Sequence, residues 1–160
     1  IVAFRSAKVA FLSRSERRRK TTEAIRKRVT TGMTKTVLIV DDSLMMRQLI
    51  GRTLADDGWS VVGEARDGDE GVELFERLHP DVVTLDLVMP GTNGLEALTR
   101  IKAHEPAAKV IVVSAVNQTR LISEAIRRGA CDFIVKPFRA EDLRETMRIV
   151  AETIEECVGA

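Results

Sequence analysis

Apolar residues come in short runs along this chain, and helix-period patterns lie between the runs. Val37–Val40, Ser60–Val62, Val82–Leu85, Val110–Val113 and Phe133–Val135 are rich in Val and Ile, and most are apolar at every position. Alternation with period two is largely missing, which is how strands covered on both faces of a parallel sheet read. Helical spacing joins Met46, Leu49, Ile50 and Thr53–Leu54, then Val72, Phe75 and Leu78, then Leu95, Leu98 and Ile101, then Leu121, Ile122, Ala125 and Ile126. Leu143, Met147, Val150 and Ile154 form the clearest stripe, at i, i+4, i+7 and i+11. Glu141 and Asp142 stand in its first turn, where negative charge suits the helix dipole. Gly129 follows the fourth pattern as a C-terminal glycine should, and Asp67-Gly68 and Asn93-Gly94 read as turns.

Five strands alternating with five helices predict an α/β fold, a doubly wound (βα)5 domain. Crossovers between parallel strands are right-handed, so helices cover both faces of the sheet. In such sheets ligands bind at the carboxyl ends of the strands. Here the first strand ends in Asp41-Asp42, the third in Asp86, the fourth in Ser114 and the fifth in Lys136, followed by Pro137. Each has a plain alternative. Asp42 or Ser43 could cap the first helix, Asp86 could be an ordinary loop acid, Ser114 could cap or turn the chain, and Lys136-Pro137 could be a turn. Together the plain readings need four coincidences at one end of one sheet.

A phosphoryl-acceptor site explains the set. Three carboxylates close together repel unless a cation sits among them. Hard oxygen ligands suit Mg²⁺, which keeps waters and recruits phosphate oxygens. Aspartate is a nucleophile that forms aspartyl-phosphates. Transfer to it needs positive charge on the phosphoryl oxygens, which Lys136 can add to that of the metal, while Ser114 can donate a hydrogen bond.

Charge divides the chain. Residues 1–32 hold ten Lys/Arg against two Asp/Glu, and the remainder holds fifteen against twenty-two. The basic segment 1–33 reads as an extension outside the domain, upstream or vector-derived, with Met33 as the natural start. A basic arm for nucleic acid or anionic lipid has only charge behind it. The acidic body is not expected to bind nucleic acid. Cys131 and Cys157 offer neither metal spacing nor a disulfide framework, which suits a reducing cytoplasm. No apolar run exceeds four residues, so no membrane insertion is expected.

The stretches "VLIVDDS", "DVVTLDLVMPGTNG", "VIVVSA" and "FIVKPF" resemble the receiver domains of bacterial two-component response regulators. The spacing is closest to single-domain chemotaxis receivers of the CheY type, and residues 34–157 would form the domain. The resemblance implies a flavodoxin-like, CheY-like fold with strand order 2-1-3-4-5. It implies that Asp86 is phosphorylated by a histidine kinase or a phosphotransfer protein. Asp41, Asp42 and Asp86 would bind Mg²⁺ with the backbone carbonyl of Val88, and Lys136 would contact the phosphoryl group. Ser114 would move toward that group, and Phe133, at the family's aromatic switch position, would turn inward. The face formed by the fourth helix, fifth strand and fifth helix would then change for a downstream protein such as a flagellar switch. Phe133 could also be simply a core aromatic. Val88 and Val116, two residues beyond Asp86 and Ser114, offer no polar group to orient a hydrolytic water, which predicts a long-lived phosphoryl group.

Other classes fit less well. The chain could be the receiver of a longer regulator, a transcription factor or a chemoreceptor methylesterase. A Mg²⁺-dependent phosphohydrolase with an Asp nucleophile usually carries a second acid two residues on, where Asp86 has Val88 and Asp41 has Ser43. No classical enzyme is expected, only catalysis of the domain's own phosphorylation and dephosphorylation. A flavin carrier would need a hydroxyl- and glycine-rich loop after the first strand, where "DDSLMM" is acidic.

Overall fold

The computed structural model describes residues 34–115 and 117–159, with side chains described through Ile154. The basic segment 1–33, Val116 and the Cys157 side chain lie outside the described residues. The elements run β1 (Thr36–Val40), α1 (Leu44–Asp56), β2 (Ser60–Ala65), α2 (Gly68–Leu78), β3 (Val82–Asp86), α3 (Gly94–His104), β4 (Lys109–Ala115), α4 (Thr119–Arg127), β5 (Asp132–Lys136) and α5 (Ala140–Gly159). All strand pairings are parallel, in the order β2-β1-β3-β4-β5. The expected doubly wound (βα)5 sheet, order 2-1-3-4-5, is the observed one.

Alternate residues of each strand point to opposite faces, and both faces are apolar. Leu38, Val40, Val83, Leu85, Val110 and Val112 pack against Val72 and Phe75 of α2, Leu98 and Ile101 of α3, and Ile122 and Ala125 of α4. Val37, Ile39, Val82, Ile111 and Ile134 meet Ile50 and Leu54 of α1 and Leu143, Met147, Val150 and Ile154 of α5. The i, i+4, i+7, i+11 stripe of α5 is therefore buried along its length, as its spacing predicts. Double coverage is why the strands lack alternation in sequence.

Two local expectations come out differently. β2 runs three residues past Val62, through Gly63, Glu64 and Ala65, which pair with Leu38, Ile39 and Val40 after a register shift. It is an edge strand with mostly part-exposed residues, so its apolar run breaks although the backbone ladder continues. Asp67-Gly68 and Asn93-Gly94 are not free turns. Each opens a helix, with Asp67 Oδ1 accepting from Glu70 N (2.9 Å) and Asn93 Oδ1 from Glu96 N (3.0 Å). Asx side chains serve turns and N-caps by the same bond, so the dipeptides alone do not separate the two.

Thr84 is the exception in the core. It is buried between Ile39 and Ile111, and its Oγ1 has no hydrogen-bond partner among the described residues. A buried hydroxyl without a partner is costly, and Val replaces it with nearly the same shape. Thr84→Val is expected to stabilise the fold by about 1 kcal/mol. The measurement is the denaturant midpoint at unchanged slope, and an unmoved or lowered midpoint contradicts it.

Candidate functional site

The sheet order reverses around β1 and β3, which opens a crevice beyond their carboxyl ends. Asp41 leaves β1 with its N–H donating to Ala65 O (3.0 Å), and its carboxylate is buried. Asp41 Oδ1 accepts from Ser43 N (2.9 Å). Asp42 is exposed at the rim. Ser43 is the helix cap, accepting from Met46 N (3.3 Å) at the start of α1. The stretch Asp41-Asp42-Ser43 thus splits into two site acids and one cap.

Asp86 closes β3, only 6% exposed, and its Oδ1 accepts from Val88 N (3.0 Å). Lys136 closes β5 and bridges the two buried acids, with Nζ 2.7 Å from Asp41 Oδ2 and 3.0 Å from Asp86 Oδ2. The Lys136-Pro137 bond is cis. One carboxylate oxygen from each of Asp41, Asp42 and Asp86 lies within 4.8 Å of the others. Ser114 is fully buried at the end of β4, in register with Val135. Phe133 is 44% exposed on β5, so in this state it is not a core aromatic. Val88 is half exposed at the crevice edge.

Burial pushes the Asp86 carboxyl above its ordinary range. The Val88 N–H and Lys136 pull it down but do not cancel that, and Asp41 adds to the rise. Burial alone would lower the Lys136 ammonium. Its hydrogen bonds to Asp41 and Asp86 outweigh burial, and the group is held above its usual value. Three hard oxygen donors, one of them at the exposed rim, fit Mg²⁺ with its retained waters. The ammonium of Lys136 against two of them shows that the crevice takes a cation.

Three further residues shape the site, and of these only Gly94 carries a signal in the sequence, as part of a turn. Arg47 on α1 donates through one terminal nitrogen to Asp41 O (2.8 Å) and Asp42 O (3.4 Å), and Nε reaches Glu64 Oε2 (3.1 Å). It ties the acidic loop to β2. Gly94 brings α3 against the backbone of Asp86. Gln118, just before α4, receives the Ser114 hydroxyl. All three act through contacts between elements far apart in sequence or around a loop, which neither periodicity nor local spacing encodes.

The model of the response regulator receiver domain matches residues 37–148, well over half of the chain. The chain belongs to the response regulator receiver domain family. This receiver is 46% identical over 116 residues to "Chemotaxis protein CheY" of Listeria monocytogenes, covering 72% of this chain and 98% of that protein. The receiver domain of NtrX from Brucella abortus superposes with a TM-score of 0.70 at 34% identity, covering 73% of this chain and 98% of that one. A chain of the CheX–CheY–BeF3–Mg²⁺ complex from Borrelia burgdorferi gives a TM-score of 0.71 at 32% identity, covering 76% and 92%. The protein is a two-component response regulator, a signalling receiver rather than a classical enzyme, and a phosphodonor kinase is the partner its family implies. Receivers bind Mg²⁺ through acidic residues, and this one has the aspartate cluster to do so. Among the described residues no helix is long and apolar enough to cross a membrane.

Proposed function

We propose that Asp86 is the phosphoacceptor of this receiver, within a domain spanning residues 34–157 that works in the cytoplasm. The observation that supports it most is the junction of three carboxylates and one lysine at the switch point of the sheet. Asp86 and Asp41 both combine burial, a fixed backbone donor and contact with Lys136, and the receiver-family motif at the end of β3 favours Asp86 of the two. A carboxylate oxygen of Asp86 forms the new O–P bond as the N–P bond of a donor phosphohistidine breaks, and that electron pair stays on the imidazole. Lys136 holds a phosphoryl oxygen with one N–H while keeping Asp41 in place with another. Mg²⁺, held by Asp41, Asp42, Asp86 and the carbonyl of Val88, supplies further positive charge to those oxygens when bound. The donor is a histidine kinase or a phosphotransfer protein.

Ser114 then turns to the phosphoryl group and Phe133 leaves its exposed position, which changes the face of α4, β5 and α5. Ile126 of α4, Phe133 of β5 and Ile149 of α5 are each exposed, one on each of the three elements. A downstream protein reads it, and the identity to chemotaxis CheY proteins favours a role in chemotaxis, with a flagellar switch as the reader. The domain catalyses only its own phosphorylation and dephosphorylation.

The test is uptake of a phosphoryl group from acetyl phosphate with Mg²⁺, followed by borohydride reduction to locate the acyl phosphate. Reduction product at residue 86 supports the assignment, and product at Asp41 or Asp42 overturns it. A pull-down with and without beryllofluoride, the stand-in for a phosphoryl group on a carboxylate, identifies the reader.

Arg47 sets the backbone that carries two of the metal ligands, so Arg47→Ala is expected to weaken Mg²⁺ binding roughly tenfold, as loss of a supporting partner typically does. Titration of the folded variant with Mg²⁺ measures it; an affinity equal to that of the wild type rules the role out. Val88 presents no polar group at the crevice edge, so the labelled protein is expected to keep its phosphoryl group for minutes rather than seconds. Following phosphate release without added phosphatase checks this, and loss within seconds contradicts it.

A further inference from the structure

Gln118 belongs to no part of the site described by strand ends, yet its side chain holds the switch serine. Gln118 Oε1 accepts the Ser114 hydroxyl and also the Ala115 N–H (2.9 Å). The second bond fixes the first. A backbone N–H can only donate, so the amide oxygen must face inward, and Ser114 must be the donor to it. Ser114 is fully buried, so no water competes for its proton.

We propose that Gln118 is a positioning residue, a latch that holds Ser114 in the resting state and must release it when Asp86 is phosphorylated. The proposal rests on the phosphoacceptor reading of Asp86. A serine hydroxyl has one proton. Given to Gln118, it cannot be given to a phosphoryl oxygen. The two bonds exclude each other and so define two states of one element.

The latch also touches the output face. Gln118 immediately precedes α4, where its carbonyl accepts from Ile122 N (3.0 Å) and its own N–H donates to Ala115 O (3.0 Å). Its side chain makes no capping bond to α4, because it is turned back to β4. Only Ile122 and Ala125 of α4 are buried, so few contacts oppose a shift at the start of this helix. Release of Ser114 therefore frees the same residue from which α4 begins.

The experiment measures beryllofluoride affinity in the presence of Mg²⁺ for the full chain. Gln118→Met keeps length and stem but removes the acceptor. It is expected to raise the affinity roughly 3- to 10-fold, the factor one net hydrogen bond makes in an equilibrium. In a Ser114→Ala background the same substitution is expected to change nothing, because no hydroxyl is left to hold. Unchanged affinity in the wild-type background overturns the latch. So does an equal gain in both backgrounds, which a merely structural role of Gln118 would produce. Thermal unfolding without beryllofluoride establishes that each variant is folded, and Gln118→Ala replaces Gln118→Met if the latter is not. Asp86→Ala separates the two readings. Binding that survives it overturns the phosphoacceptor assignment and the latch with it, whereas Asp86-dependent binding that ignores Gln118 overturns the latch alone.

Discussion

With acetyl phosphate and Mg²⁺, the wild-type receiver is expected to take up one phosphoryl group per chain, and Asp86→Ala none. The expected loss is complete because Asp86 holds the end of β3, the position the receiver family's motif gives to the acceptor. Asp42 is exposed and has no contact with Lys136. Asp41 makes the same kinds of bond as Asp86, with Oδ1 accepting from the Ser43 N–H and Oδ2 2.7 Å from Lys136, but it is the more deeply buried, 1% exposed against 6%, and forms the floor of the site. Asp86 stands at the end of β3 with an oxygen against the Val88 N–H, and burial raises its carboxyl. Transfer to it needs positive charge on the phosphoryl oxygens, and Mg²⁺ would add to what Lys136 supplies. Chelation of Mg²⁺ is therefore expected to abolish labelling of the wild type as well. Label on Asp86→Ala would show that another acid accepts the group, and labelling undiminished by chelation would show that Lys136 alone supplies enough charge.

Gly94→Ala is expected to destabilise the domain by about 2 kcal/mol or more, toward the upper end of what overpacking costs. A Cβ there would lie 2.1 Å from Asp86 O, 2.6 Å from Leu87 Cα and 2.9 Å from Asp86 C. All three are backbone atoms, so no side chain can swing away. Gly94 N also donates to Leu87 O (3.1 Å), which ties the first turn of α3 to the loop after β3. Room for a methyl can come only from moving that loop, and Asp86 moves with it. Labelling from acetyl phosphate is expected to slow together with the loss of stability. Gly91 provides the contrast. A Cβ there meets nothing within 4 Å, but the backbone is left-handed, with φ +76°. Gly91→Ala is expected to cost about 1–2 kcal/mol from the backbone alone. Denaturant midpoints for both variants decide the matter. A Gly94→Ala midpoint equal to the wild type, or a smaller loss than at Gly91, refutes the close-approach argument.

Much of the site could be read in the sequence because receivers place it at strand ends. Asp41, Asp86 and Lys136 each follow an apolar run directly, and in a parallel sheet the ends of neighbouring runs converge whatever lies between them. The convergence of Asp41 and Lys136 across 95 positions needed only the strand pattern and the topology. Ser43 shows the opposite case. Beside two acids, its capping role was one of two readings that residue type left open, and only the bond to Met46 N decided it. Arg47 and Gln118 gave no sign, and Gly94 was legible only as part of a turn. Arg47 reaches carbonyl oxygens, which every residue has, so nothing in its neighbours marks it.

The sequence by itself determined the architecture. Apolar strands without alternation, amphipathic helices between them and right-handed crossovers leave essentially one layered arrangement, and the chemistry-bearing residues fall at one edge of it. The tertiary structure decided the electrostatics and the resting state. Burial sets the Asp86 carboxyl high, Lys136 sits between two acids rather than beside one, Phe133 faces outward, and the proton of Ser114 goes to Gln118. The physical reason is range. Periodicity records which face of an element is buried, a property each residue carries in its own hydrophobicity. Hydrogen bonds and charge interactions depend on distances of a few ångströms between elements, and those exist only once the chain has packed.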